Sequence, residues 1–214
     1  MIIKDYQLIN SINSELFQSF LIYGPNEGLI RENIDVVYKN FSKGTDCEKI
    51  NINSKQLDDS ISILNDEIST ISLFSEKKFI VLDSPREKHV SIIEDSFSLD
   101  FKNTCMVVKQ GNLTKSSSIR KLYETSKNHF CLACYDDDIK ALSLLLEKFQ
   151  KEHNIKFDSD VKSFLLNNLS NDRMIIKNEL EKILLSLSKD DQIIDIEKLR
   201  FILYDSSHTD LQQI

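Results

Sequence analysis

The stretch Phe20-Leu21-Ile22-Tyr23-Gly24-Pro25-Asn26-Glu27-Gly28-Leu29-Ile30-Arg31 is where this chain could handle phosphate. An apolar run ends at a glycine turn and a helical pattern starts just after it. Backbone N–H groups at such a strand–turn–helix junction can cradle phosphate oxygens. The working signature is GxxxxGK(S/T), and this loop carries only its frame. Gly28 follows Gly24 one residue early. No lysine follows to reach the β- and γ-phosphates, and no serine or threonine to hold Mg²⁺. Leu29, Ile30 and Arg31 stand in those places. The stretch is an ordinary strand–turn–helix or a nucleotide fold that has lost its nucleotide.

The other chemistry-bearing residues read weakly one by one. Asp83 ends an apolar run without the neighbouring glutamate that a hydrolytic base requires, and is expected to serve a turn. Asn112 follows the next apolar run, where an ATPase would sense a γ-phosphate; without the lysine that role is not expected. Cys131 and Cys134 form a CxxC, but three residues apart on a strand their sulfurs point to opposite faces. They are expected in the core rather than on zinc. Asp136-Asp137-Asp138 is expected to cap a helix. His89, His129, His153 and His208 are scattered, and no GxSxG, HExxH or GxGxxG occurs. We expect no catalytic residue, no metal and no bound cofactor.

Ile71-Ser72-Leu73-Phe74 is different. It joins a helical pattern to a strand, and serines and charges flank it. Neighbouring side chains on a helix point about 100° apart, so Leu73 and Phe74 cannot both face a core squarely. The pair either anchors a partner's pocket or caps the sheet edge.

These residues sit on a regular alternation. Helical spacing over 5–16 (Leu8, Ile12, Leu16) precedes a strand at Phe17–Tyr23. A helix opening at Asn26 or Glu27 buries Leu29, Ile30, Ile34, Val37 and Phe41. Strands follow at Cys47–Ile52, Lys78–Asp83, Cys105–Val108 and Phe130–Tyr135. Between them lie helices marked by Leu57, Ile61, Leu64 and Ile68, by Val90–Leu99, and by Ser116–Thr125 with a serine cap. Phe79-Ile80-Val81-Leu82, apolar on both faces, suits a central parallel strand. The pattern predicts right-handed βαβ units.

From Asp136 onward only helical stripes remain. These are Leu142/Leu145/Leu146/Phe149, Val161/Phe164/Leu165/Leu169, Ile176/Leu180/Ile183/Leu184/Leu187, and Ile196/Leu199/Ile202/Leu203 behind an Asp195 cap. The fold class is therefore α/β: a five-stranded parallel sheet with flanking helices over 1–135, then a small all-helical domain over 136–214. That is the layout of an AAA+ module.

Bulk composition narrows the function. Only four glycines and two prolines in 214 residues argue against an all-β protein. A net charge of −7 argues against a protein that grips duplex DNA on its own. The start of the chain has no long apolar core, so no signal peptide is expected. The cysteines have no framework spacing, which fits a reducing cytoplasm.

Taken together the pieces resemble the δ subunits of bacterial DNA polymerase III clamp loaders. The marks are Phe20-Leu21-Ile22-Tyr23-Gly24 without a P-loop lysine, and Ser72-Leu73-Phe74 before Phe79-Ile80-Val81-Leu82. They continue with Lys115-Ser116-Ser117-Ser118-Ile119-Arg120-Lys121-Leu122, Ala133-Cys134-Tyr135, and Asn178-Glu179-Leu180-Glu181-Lys182. The resemblance implies an AAA+-like subunit that does not hydrolyse ATP. It would bind the β sliding clamp and help open the ring for primed DNA, beside ATPase and delta-prime sister subunits. It implies Leu73 and Phe74 as the clamp-binding pair, with Ile71 and Ser72 fitting the wider consensus Gln-Leu-Ser/Asp-Leu-Phe. Thr70 stands where that consensus has glutamine. Arg120 lies near where some sister ATPases carry a trans-acting arginine, but its spacing differs and a solvated helix face is expected.

Members of that family continue into a third, helical collar domain, whereas this sequence ends at Asp210-Leu211-Gln212-Gln213-Ile214. The resemblance then implies a chain that binds the clamp but joins the pentamer poorly. The competing reading is a divergent P-loop ATPase or nucleotide kinase, which would bind ATP. A third is an unrelated adaptor that docks a protein on its helical half.

Overall fold

The computed structural model describes residues 1–3, 8, 19–170, 172–187, 194, 196–197 and 199–201. The chain divides into two compact units, Met1–Tyr135 and Asp136–Ile214.

The first unit is an α/β layer built on six parallel strands: β1 (Ile2–Ile3), β2 (Ser19–Tyr23), β3 (Cys47–Asn53), β4 (Lys77–Asp83), β5 (Thr104–Gln110) and β6 (His129–Ala133). Their order across the sheet is β1-β6-β2-β5-β4-β3. Five of the six are the expected strands. The sixth, β1, is a two-residue edge paired Ile2 to Cys131 and Ile3 to Leu132. It is too short to show a period of two, so no sequence pattern marks it.

The helices of this unit are α1 (Glu27–Ser42), α2 (Ser54–Asp59), α3 (Ile63–Ser69), α4 (Val90–Ser96, entered by a 3₁₀ turn at Glu87–His89) and α5 (Ser118–Thr125). The sheet is apolar on both faces because helices cover both. Phe20, Ile22, Phe79, Val81 and Val107 form one buried cluster with Leu29, Ile30, Ile34 and Val37 of α1. Leu21, Ile80, Leu82, Met106 and Val108 form the other with Leu57, Leu64, Ile93, Ile119 and Tyr123. Residues alternate between the clusters along each strand, as the pleat requires.

One expected helix is in fact two. Leu57, Leu64 and Ile68 are buried, but Ile61 is exposed, in the break between α2 and α3. A capping box at Asn53 and Gln56 starts α2 tightly, and the helix stops at Ser60 after six residues. Of the expected helix at 5–16, Leu8 is helical and buried; Ile12, Leu16 and Phe17 lie outside the described residues.

The second unit holds α6 (Ile139–His153), α7 (Ser159–Asn168) and α8 (Arg173–Ser186). Each starts at an aspartate cap: Asp138 accepts from Ala141 N, Asp158 from Val161 N, and Asp172 from Met174 N and Ile175 N. Leu142, Leu146, Val161, Leu165, Ile176, Leu180 and Ile183 pack into its core. Leu199 joins them, while Asp195, Ile202 and Leu203 lie outside the described residues.

Candidate functional site

The helix α3 ends at Thr70, whose N–H and hydroxyl both donate to the Asp66 carbonyl at 3.0 and 2.7 Å. Beyond it the chain runs without helix or strand until β4 begins at Lys77. On this connector Ile71, Leu73 and Phe74 are 90%, 91% and 91% exposed. Isolated apolar side chains at a surface are ordinary, but three large ones this bare within four residues form a patch. Ser72 shapes it locally: its hydroxyl accepts from the Phe74 N–H at 3.3 Å. The reading in which the pair caps the sheet edge is overturned. The helical rotation argument also does not apply, since these residues are not helical. They are bare because, among the described residues, no element covers the connector. Beside it lies a cleft of about 390 Å³, lined by Ile68, Thr70, Ser75, Lys78, Asp100 and Thr104 among others.

The glycine turn between β2 and α1 is held by the chain itself. Gly24 has φ +151°, a conformation that side-chain-bearing residues rarely adopt. A Cβ there would overlap the Cys134 carbonyl group. Its N–H donates to Gln110 O and Gly111 O at 3.3 and 3.2 Å, the Asn26 N–H to Cys134 O at 3.3 Å, and the Cys134 N–H to Tyr23 O at 2.7 Å. The Leu29 N–H goes to the Asn26 side chain at 2.9 Å. The N–H groups of Gly24, Asn26 and Leu29 are thus directed at protein carbonyls and an amide. Gly28 is buried in the first turn of α1.

The remaining candidates fall into structural roles. Asp83 ends β4, accepts from the Ser84 hydroxyl at 2.8 Å and faces Lys109 Nζ at 3.5 Å. Asn112 is exposed. Cys131 and Cys134 lie in the clusters on opposite sheet faces, and burial raises the Cys131 thiol to about 12. Among the described residues no group of three or more His, Cys, Asp and Glu could hold a metal ion. Arg120 departs from expectation. Instead of facing solvent it lies over the Tyr23 ring at 5.3 Å, pairs with Glu124 at 2.7 Å and donates to Leu113 O at 3.2 Å. Within the acidic run only Asp138 caps a helix. Asp137 is buried and holds Arg173 through two bonds of 2.6 and 2.5 Å. A pairing across 36 positions has no local sequence signal.

Sequence reasoning also missed the network around Asp58. It takes Arg86 at 2.9 Å, Lys88 at 2.6 Å and the buried His89 Nε2 at 2.7 Å, while His89 Nδ1 accepts from the Arg86 N–H. Hydrogen bonds from Lys88 and His89 hold the Asp58 carboxyl below its usual range. Glu87 does for α5 what a capping residue does: it accepts from the Ser117 hydroxyl and the Ser118 N–H, which lowers its pKa. The histidine was visible in the sequence, but its partner 31 positions away was not.

A probable DNA polymerase III subunit delta of Rickettsia prowazekii is 24% identical over 182 residues, covering 83% of this chain and 53% of that protein. The chain thus spans about half the length of the curated relative it matches. The structure of the Bacillus subtilis DNA clamp loader delta protein superposes with a TM-score of 0.57 at 14% identity, covering 92% of this chain and 61% of that one. Domain III of the Thermotoga maritima replication initiation protein DnaA gives 0.61 at 11% identity, covering 94% and 89%. At such identities the structural matches speak for the fold, an α/β layer of the AAA+ kind. The family model for the DNA polymerase III delta subunit matches residues 20–132, more than half of the sequence, and the chain belongs to that family.

Proposed function

We propose that this chain is the clamp-binding member of a clamp loader, an accessory subunit without a catalytic site of its own. It grips the β sliding clamp through Ile71, Leu73 and Phe74, with Ser72 shaping the backbone between them. The grip helps open the ring for loading onto primed DNA in the cytoplasm. ATP is hydrolysed by sister subunits, and delta-prime and the ATPase subunits are its partners in the complex. Residues 1–135 serve as an AAA+-like module and 136–214 as its helical lid.

The observation that carries the reading is the nearly complete exposure of three large apolar side chains on one short connector. Burying each in a partner's pocket is worth about 1.5–3 kcal/mol, enough for specific binding without chemistry. The occupied N–H groups of the Gly24 turn support a subunit that binds no nucleotide. The test is binding to purified sliding clamp by the chain and by its Leu73→Ala/Phe74→Ala variant. Clamp binding lost in the folded variant is the expected result.

A further inference from the structure

Lys78 is the second residue of β4, yet its side chain leaves the sheet for the end of α3. The side chain is 7% exposed. Its Nζ donates to the Glu67 carbonyl at 2.9 Å and to the Thr70 hydroxyl at 2.9 Å, and it meets the Glu67 carboxylate at 3.2 Å. One ammonium group thus closes the last turn of α3 at the residue immediately before Ile71. A cation at a helix C-terminus is favourable, and more so when shielded from water. Thr70 extends the tie inward, since its hydroxyl also bonds Asp66 O.

The far end of the same connector is fixed as well. The Lys77 N–H donates to Asp46 O at 3.2 Å and the Lys78 N–H to Asn103 O at 2.9 Å. Lys77 Nζ reaches Phe41 O at 2.6 Å and lies over the Phe41 ring at 5.1 Å. Only residues 71–76 are left between two pinned ends. A loop already held near its bound shape loses less entropy when a partner orders it.

We infer that Lys78 is a positioning residue for partner binding: through Glu67 and Thr70 it fixes the point from which Ile71, Leu73 and Phe74 are presented. Its side chain is 7% exposed and its ammonium is engaged by Glu67 and Thr70, so it acts through them. The inference rests on the proposal that this connector is the clamp-binding site and names the residue that organises it.

The test compares affinity for purified sliding clamp in four variants of the full chain: Lys78→Gln, Lys78→Arg, Thr70→Val and Leu73→Ala/Phe74→Ala. Each is measured well below its melting temperature. Removing the ammonium in Lys78→Gln should weaken binding about threefold to tenfold, the scale of one freed connector. Lys78→Arg, which keeps a cationic donor, should recover most of the loss. Thr70→Val keeps the shape and removes the hydroxyl that accepts from Lys78 and donates to Asp66 O, so about twofold to threefold is expected even if Lys78→Gln fails to fold. A purely structural lysine would lower the melting temperature and leave the affinity of folded protein unchanged. Unchanged affinity in Thr70→Val and in any folded Lys78→Gln, with binding lost in the Leu73/Phe74 variant, overturns the inference alone. Full affinity in the Leu73/Phe74 variant overturns the site assignment, and the inference with it.

Discussion

The backbone of Cys134, just past β6, lies directly over Gly24 at the tip of β2. A Cβ on Gly24 would stand 2.6 Å from the Cys134 carbonyl carbon. The glycine is needed for this crossing of two chain segments, independently of any ligand. Its positive φ and the bonds Asn26 N–H to Cys134 O and Cys134 N–H to Tyr23 O belong to the same knot.

Replacing Gly24 by alanine should therefore cost stability rather than nucleotide affinity. Strain at φ +151° and overlap with backbone that cannot swing away predict a loss of about 3 kcal/mol or more. Chemical denaturation measures it.

ATP with Mg²⁺ should leave the melting temperature of the unaltered protein where it is. A nucleotide present at a hundred times its Kd would add about 2.7 kcal/mol, a shift easily seen in a thermal scan. The absence of a shift is predicted by the occupied turn donors and the missing lysine.

Removing Asp137 should destabilise the second unit strongly. Its carboxylate and the Arg173 guanidinium are 4% and 13% exposed. Asp137→Ala leaves a buried cation without this counter-charge, a change that typically costs ~3–5 kcal/mol. Faster amide exchange in α6 and α8 would report it.

Acidification should weaken the fold in two windows. Burial lowers His129 from 6.5 to about 4, and Phe97 stacks on its ring at 3.7 Å. Between those values the unfolded chain takes up a proton that the folded chain refuses, so stability falls as pH drops through this range. The loss is on the order of 2–3 kcal/mol by pH 4. His129→Phe should flatten this part of the profile. Below it, Glu87 and Asp58 contribute in the usual carboxylate sense. Both are held below their ordinary values, so the stabilisation is present above those values and is lost as pH falls through the folded ones. Glu87→Gln should reduce that second, more acidic loss without touching the first.

What was legible in the sequence was what repeats locally. Apolar runs gave five strands, and the spacing of Leu29, Ile30, Ile34 and Val37 gave the buried face of α1. The opposed faces of Cys131 and Cys134 followed from the strand period alone. Illegible were features set by contacts between distant segments. Arg120 read as a surface residue because nothing nearby announces Tyr23. Asp137 read as a cap because Arg173 is far along the chain. The split at Ile61 was hidden because its spacing from Leu57 and Leu64 matches one continuous helix. For the connector, residue types raised two alternatives and could not give the exposure of Leu73 and Phe74, since exposure is a property of what packs above a segment.

Replacing Leu73 and Phe74 with alanine should leave the fold as stable as before, within about 0.5 kcal/mol, because both side chains already face water. Equal denaturation midpoints for the two proteins would show it.

The most direct measurement of the central claim is the dissociation constant for purified sliding clamp, taken with the full chain and with that same double variant. Two lost anchors at ~1.5–3 kcal/mol each predict at least a hundredfold weaker binding in a protein that remains folded. A variant that is folded and binds the clamp as tightly as the unaltered chain would contradict the assignment.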